Sequence, residues 1–154
     1  MNQDFLDLLS ALNVAEVRFL VVGAYAVGVH GHPRATKDLD VWVDANPENA
    51  RRVMLALQSF GAPLANLRAE DLETPGTGFQ MGLPPRRIDV LTQVSGLEFQ
   101  TAWNGRVDAQ FAEGVTCSVI GLNDLLTNKR AADRLQDRAD VEALERLQRL
   151  LKSP

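Results

Sequence analysis

Apolar residues at positions 5, 8, 9 and 12 fall at the i, i+3, i+4, i+7 spacing of one helical face, so residues 2–14 predict a helix. Glu16 to Val22 predicts a strand whose apolar end, Phe19-Leu20-Val21-Val22, is buried on both sides. Gly23 breaks that strand, Ala24 to His30 has helical character, and Gly31 supplies a C-terminal stop. Asp38 to Val43 alternates polar and apolar and predicts a second strand. Asn46-Pro47 then reads as an N-cap followed by proline at the first helical position, opening a helix to about Phe60. Residues 61–77 are rich in glycine, proline and acids and read as a surface loop with one turn of helix. Phe79 to Leu83 and Arg87 to Val94 predict strands joined at Pro84-Pro85, and Leu97 to Asn104 a short helix. Val107 to Phe111 and Val115 to Ile120 predict a hairpin around Glu113-Gly114. Helices over Leu122 to Arg134 and Arg138 to Lys152 close the pattern. Early alternation of helix and strand followed by hairpins predicts an α/β (α+β) domain with a mixed sheet flanked by helices.

Composition narrows the class. With 154 residues, 45% hydrophobic and 23% charged, the chain is neither disordered, nor collagen-like, nor a disulfide miniprotein. The length suits one domain, 1–154, that buries about two-thirds of its unfolded surface. The longest uninterrupted apolar run, Phe19 to Val29, has eleven residues, against roughly 20 for a bilayer span. No basic flank precedes an apolar stretch at the N-terminus, and the lone Cys117 has no disulfide partner, so a soluble cytoplasmic protein without membrane contact is expected. The net charge of −4 is unevenly spread: residues 129–154 carry seven basic and five acidic groups, while the rest is acidic. A protein gripping long nucleic acid over its whole surface would be basic, so only a local patch suits that role.

The chemistry sits in carboxylates. Asp38 and Asp40 alternate with Leu39, Val41 and Val43, which puts the two acids on one strand face, about 7 Å apart. Their repulsion is relieved by a divalent cation, and Mg²⁺ takes one or two carboxylates together with substrate phosphates. Asp89 is a lone charge in the apolar run Arg87-Ile88-Asp89-Val90-Leu91. If that strand pairs beside the first, three acids from two strands form a two-metal phosphoryl-transfer site. A solvent-facing strand edge is the alternative account of each acid taken singly. At Gly23 a strand turns sharply into a helix, letting the N–H groups of Ala24 and Tyr25 face a phosphate. Neither Gly-x-x-x-x-Gly-Lys-Ser/Thr nor Gly-x-Gly-x-x-Gly occurs, which excludes Walker and Rossmann motifs.

Gly23-Ala24, thirteen further residues, Asp38-Leu39-Asp40 and then Asp89 on a later strand together resemble the DNA polymerase β-type nucleotidyltransferase superfamily. The segment His30-Gly31-His32-Pro33-Arg34-Ala35-Thr36-Lys37-Asp38-Leu39-Asp40 and the later Lys129, Arg134, Asp137 and Asp140 are similar to the small prokaryotic AbiEii-like toxin nucleotidyltransferases. The resemblance covers residues 17–43, 86–92 and 121–145. It implies a nucleotidyltransferase fold, two Mg²⁺ ions (or Mn²⁺) on Asp38, Asp40 and Asp89, and ATP or another NTP as donor. It further implies transfer of an NMP to an acceptor hydroxyl, on RNA such as tRNA, in a toxin–antitoxin setting. Where that family has Gly-Gly or Gly-Ser, this chain has Gly23-Ala24, which keeps the backbone donor and loses a hydroxyl. A catalytically degenerate nucleotide- or partner-binding subunit of the same fold is the alternative reading.

Around the acids, Arg34 and Lys37 either bind the triphosphate or acceptor backbone or neutralise Asp38 and Asp40. Lys129 either pairs with Asp133 at i+4 or, as the family pattern suggests, reaches the γ-phosphate. Asp137 lies three residues from both Arg134 and Asp140, as a surface ladder or as a buttress under the site. His30 and His32 lack zinc spacing with Cys117. Trp42, Phe79 and Trp103 read as core or groove lining. Val141, Leu144, Leu147 and Leu151 pack on the body or form a homodimer or partner-protein interface. A haloacid-dehalogenase-type phosphatase, which also uses Asp-x-Asp, is disfavoured because Arg34-Ala35-Thr36-Lys37 rather than an apolar strand precedes Asp38.

Overall fold

The structure, a computed structural model, describes residues 1–35 and 38–152. Among these are six α-helices and a six-stranded mixed sheet. Helix α1 (Gln3–Val14) starts at Asn2, whose side chain accepts the Phe5 amide hydrogen, and buries Phe5, Leu8, Leu9 and Leu12 as the periodicity predicts. Strand β1 (Phe19–Val22) is buried at every position. The expected start at Glu16 moves because Glu16 adopts a left-handed conformation, φ 56°, which turns the chain before the strand begins. Helix α2 (Gly23–Val29), strand β2 (Asp38–Val43) and helix α3 (Pro47–Phe60) follow. Asn46 caps α3 and Pro47 occupies its first turn, as the dipeptide predicts.

The loop over residues 61–77 contains one 3₁₀ turn, Ala69–Leu72. Strands β3 (Gly78–Met81) and β4 (Arg87–Leu91) flank a cis Pro84–Pro85 bond. β4 stops short of the expected Val94 because Thr92 leaves the ladder to exchange hydrogen bonds with Thr77. Helix α4 (Phe99–Asn104), the hairpin β5 (Val107–Ala112) and β6 (Val115–Val119), α5 (Leu122–Ala132) and α6 (Leu135–Lys152) complete the chain. The expected gap between α5 and α6 is shorter and earlier, since Asp133 adopts φ 53° and makes the corner by itself.

The strand order is β3-β4-β2-β1-β6-β5. β2 runs antiparallel to β1 and parallel to β4, while β1 and β6 are parallel. This brings the N-terminal ends of β2 and β4 and the C-terminal end of β1 to one edge of the sheet. Leu39, Val41, Ile88 and Val90 are buried, leaving the intervening Asp38, Asp40 and Asp89 on the opposite face of β2 and β4. Burial of the core, which runs from Phe5 to Leu144, supplies the hydrophobic driving force for this placement. At the far end of the sheet Asn49, 3% exposed, accepts the Arg18 amide hydrogen at 2.8 Å and donates to the carbonyls of Arg18 and Asp44 at 3.0 and 2.8 Å. One side chain thus stitches the entry of β1 to the exit of β2. Among the described residues, no helix is long and apolar enough to cross a membrane.

Candidate active site

Register assembles the carboxylates. In the parallel pair β2/β4, Asp40 stands opposite Asp89 and Asp38 opposite Arg87. The Asp40 and Asp89 side chains lie within hydrogen-bonding reach of one another, so Asp40, when protonated, can donate to Asp89. Burial, then the hydrogen bond and charge of Asp89, then the charge of Asp38 push the Asp40 carboxyl up to about 7, while Lys129 draws it down. Asp89 also accepts from Gln80 Nε2 at 3.0 Å and Arg87 Nε at 3.3 Å. Asp38 lies two residues before Asp40 on the same face, about 7 Å away along the strand.

Gly23 is required where it stands. Val22 is the register partner of Asp40, and Gly23 turns the chain with φ +68°. A Cβ at position 23 would overlap the Asp40 carboxylate. The turn and the acid therefore occupy each other's space, and Ala24 follows at the wall of the cleft.

Behind the carboxylates is a buried charge network. Lys129, on α5, is 5% exposed and places its Nζ 3.1 Å from Asp137 Oδ1 and 3.0 Å from Asp140 Oδ2. Asp137 and Asp140 lie on one turn of α6. Arg34 holds Asp140 with two hydrogen bonds of 3.1 Å. Arg134 clasps Asp137 through Nε at 2.7 Å, while its backbone N–H donates to the same carboxylate at 3.2 Å. Burial raises both acids, but for Asp137 the Arg134 and Lys129 hydrogen bonds outweigh it. Those from Arg34, Lys129 and Gln136 do so for Asp140, and both end below the ordinary carboxylate range.

These positions give the protein partners of the residues singled out in the sequence. Asp133, the expected i+4 partner of Lys129, pairs instead with Arg138 at 2.7 Å. Lys129 acts on Asp40 through space, with its own ammonium enclosed by two carboxylates. Arg34 is matched to Asp140, and Asp137 and Asp140 form the buttress. Arg134 keeps a side chain 77% exposed while Asp137 fixes its orientation. Lys37 lies outside the described residues.

Two adjoining hollows open from the carboxylates. A cleft of about 210 Å³ is lined by Ala24, Arg34, Asp38, Asp40, Arg134 and Gln136, among others. A trough of about 380 Å³ shares Asp40 and Arg134 with it and continues past Gln93, Ser95 and Asn128. Sequence reasoning missed these three polar residues, because neither a motif nor a period marks them. Arg87 was missed too, although its place two residues before Asp89 on the same strand face is a signal that could have found it.

The donor set is all oxygen, which suits a hard divalent cation. The juxtaposed Asp40 and Asp89 carboxylates mark where such a cation would fit. Among the described residues no group of three or more His, Cys, Asp or Glu side chains forms a preassembled metal cage; the close contact is the Asp40–Asp89 pair. No protein-family model matches the chain, and no curated protein matches it either.

Proposed function

We propose that this chain is a nucleotidyltransferase of the polymerase β-type fold. It would move an NMP from an NTP to an acceptor hydroxyl, with RNA, tRNA included, as the acceptor class and a toxin–antitoxin setting as its context. The observation that carries the reading is the Asp40–Asp89 pair across β2 and β4 beside the Gly23 turn, with Asp38 on the same strand face. Asp38, Asp40 and Asp89 would hold two Mg²⁺ ions, Mn²⁺ serving equally. Bound there, these supply charge neutralisation for the leaving pyrophosphate and lower the pKa of the attacking hydroxyl.

The chain's own groups do the rest. The exposed guanidinium of Arg134, oriented by Asp137, offers a fixed cation to the polyphosphate. Gly23 allows backbone to approach the phosphates where any side chain would collide with Asp40. Lys129 offsets part of the negative charge of Asp40 from behind and keeps Asp137 and Asp140 ionised. The acceptor hydroxyl would give up its proton to solvent, and its oxygen would form a bond to the α-phosphorus as the bond from that phosphorus to the pyrophosphate oxygen breaks and pyrophosphate leaves.

Incubation with each α-³²P-labelled NTP, Mg²⁺ and total RNA tests the reading. Transfer of label by wild type, and its loss in Asp38→Asn and Asp40→Ala, is the expected result; transfer retained by both variants refutes it. Ala24, without the hydroxyl of Gly-Ser relatives, favours a second reading as a non-transferring nucleotide-binding subunit. In that case Mg²⁺ and NTP would raise the melting temperature with no label transferred.

A further inference from the structure

The groove leading away from the carboxylates loses charge in a definite direction. Its first cleft carries Arg34 and Arg134 alongside the acids. The adjoining trough keeps Asp40 and Arg134 only at the shared end, and its remaining polar side chains are the neutral Gln93, Ser95 and Asn128. A third hollow of about 430 Å³ continues from it through Leu91, Gln93, Val94 and Ser95, and among the described residues none that lines it is charged. A nucleoside triphosphate has the same gradient, from an anionic polyphosphate to an uncharged sugar and a flat heterocycle with donors and acceptors on its edge.

The neutral end is built in place. Asn128, on α5, donates from Nδ2 to the Ser95 carbonyl at 3.0 Å. Gly96, at φ +81°, lies so close to Ala131 that a Cβ would come within 2.8 Å of it. The two contacts fasten the 92–97 loop to α5 and set the width of the trough. Asn128 keeps its carbonyl oxygen and a second amide hydrogen for a ligand. Among the described residues none hydrogen-bonds the exposed Gln93 amide. Apolar Leu91 and Val94 provide surface for a base, and the volumes fall in the range of small-molecule sites.

We infer that this trough is the nucleoside subsite of the donor: base and ribose lie between the 92–97 loop and α5, with Gln93 and Asn128 as the base- or sugar-reading residues. The inference rests on the nucleotidyltransferase reading and adds to it where the nucleoside lies and which side chains recognise it.

Equilibrium binding with Mg²⁺ separates the two claims. The probes are ATP, GTP, CTP, UTP and inorganic tripolyphosphate, against wild type, Gln93→Ala, Asn128→Ala and Arg134→Ala. At least one NTP should bind wild type about tenfold or more tighter than tripolyphosphate. Gln93→Ala and Asn128→Ala should each weaken that NTP about five- to tenfold, the loss of one neutral hydrogen bond, and leave tripolyphosphate within about twofold. Arg134→Ala should weaken both ligands. Because Asn128 also fastens the loop, Gln93→Ala is the cleaner variant. If Gln93→Ala leaves every NTP unaffected while Arg134→Ala weakens them, the nucleoside lies elsewhere and the inference fails alone. Equal loss of NTP and tripolyphosphate in Gln93→Ala also overturns it. If neither an NTP nor tripolyphosphate binds wild type, the nucleotidyltransferase reading fails with it.

Discussion

Replacing Asp40 by asparagine should make the metal-free protein more stable, by an amount that grows as pH rises from about 4 to 7 and then levels off. The native carboxyl titrates at about 7 instead of 3.8, because it is buried against Asp89 and near Asp38. Between those values the folded state retains a proton that the unfolded chain has released, so stability falls as pH rises through this window. At 1.4 kcal/mol per pH unit the ionised site costs the fold at most ~4 kcal/mol at pH 8. Asparagine removes one charge of the pair and can donate an amide hydrogen to Asp89. The gain should be about 1–4 kcal/mol, or about 2–4 °C in Tm per kcal/mol for a domain of this length. Thermal melts of both proteins in EDTA at pH 4, 6 and 8 measure it. The curves should nearly coincide at pH 4 and separate progressively towards pH 8. An Asn variant less stable than wild type at pH 8, or equally favoured at pH 4 and pH 8, would refute the raised titration of Asp40.

Gly23→Ala should lower stability by about 2 kcal/mol or more, since left-handed backbone costs roughly 1 kcal/mol and the new methyl displaces the Asp40 carboxylate; chemical denaturation measures the loss. Lys129→Met should cost about 3–5 kcal/mol, because Asp137 and Asp140 stay buried with their shared cation gone, and the loss should shrink in melts at acid pH as those carboxyls protonate. Asn49→Ala strands the Arg18 amide hydrogen and two carbonyls; about 2–4 kcal/mol should be lost, with faster amide exchange at Arg18 read by NMR. Cys117, whose thiol is pushed up to about 11 by burial, should resist a thiol reagent at pH 8 in the native state and react promptly once unfolded.

What the sequence made legible was local. The alternation of Asp38 to Val43 gave both the strand and the face of its acids, and Asn46-Pro47 marked the start of α3 to the residue. The register that sets Asp89 opposite Asp40 is a pairing between residues 49 apart in the chain, and no short-range pattern encodes it. The corner at Asp133 was missed because no glycine or proline marks it, and a lone aspartate, which tolerates left-handed backbone, is equally at home on a solvated helix face. The partners of Lys129 were missed for a related reason: helical spacing suggests i+4 neighbours on the same helix, whereas its ammonium crosses to α6. Gln93, Ser95 and Asn128 converge through the folding of a loop onto a helix, where their spacing in sequence carries no period.

The paired aspartates of α6 leave that helix with an unusual duty. Asp140 grips Arg34, just ahead of β2, and Asp137 grips the α5–α6 corner, so the C-terminal helix works as a brace spanning two distant stretches of chain. Its hold on the cleft is exerted at arm's length. Severing it would unmoor the approach to β2 and the guanidinium at the cleft's rim together, so that, on the nucleotidyltransferase reading, the site would idle with every one of its own acids still in place.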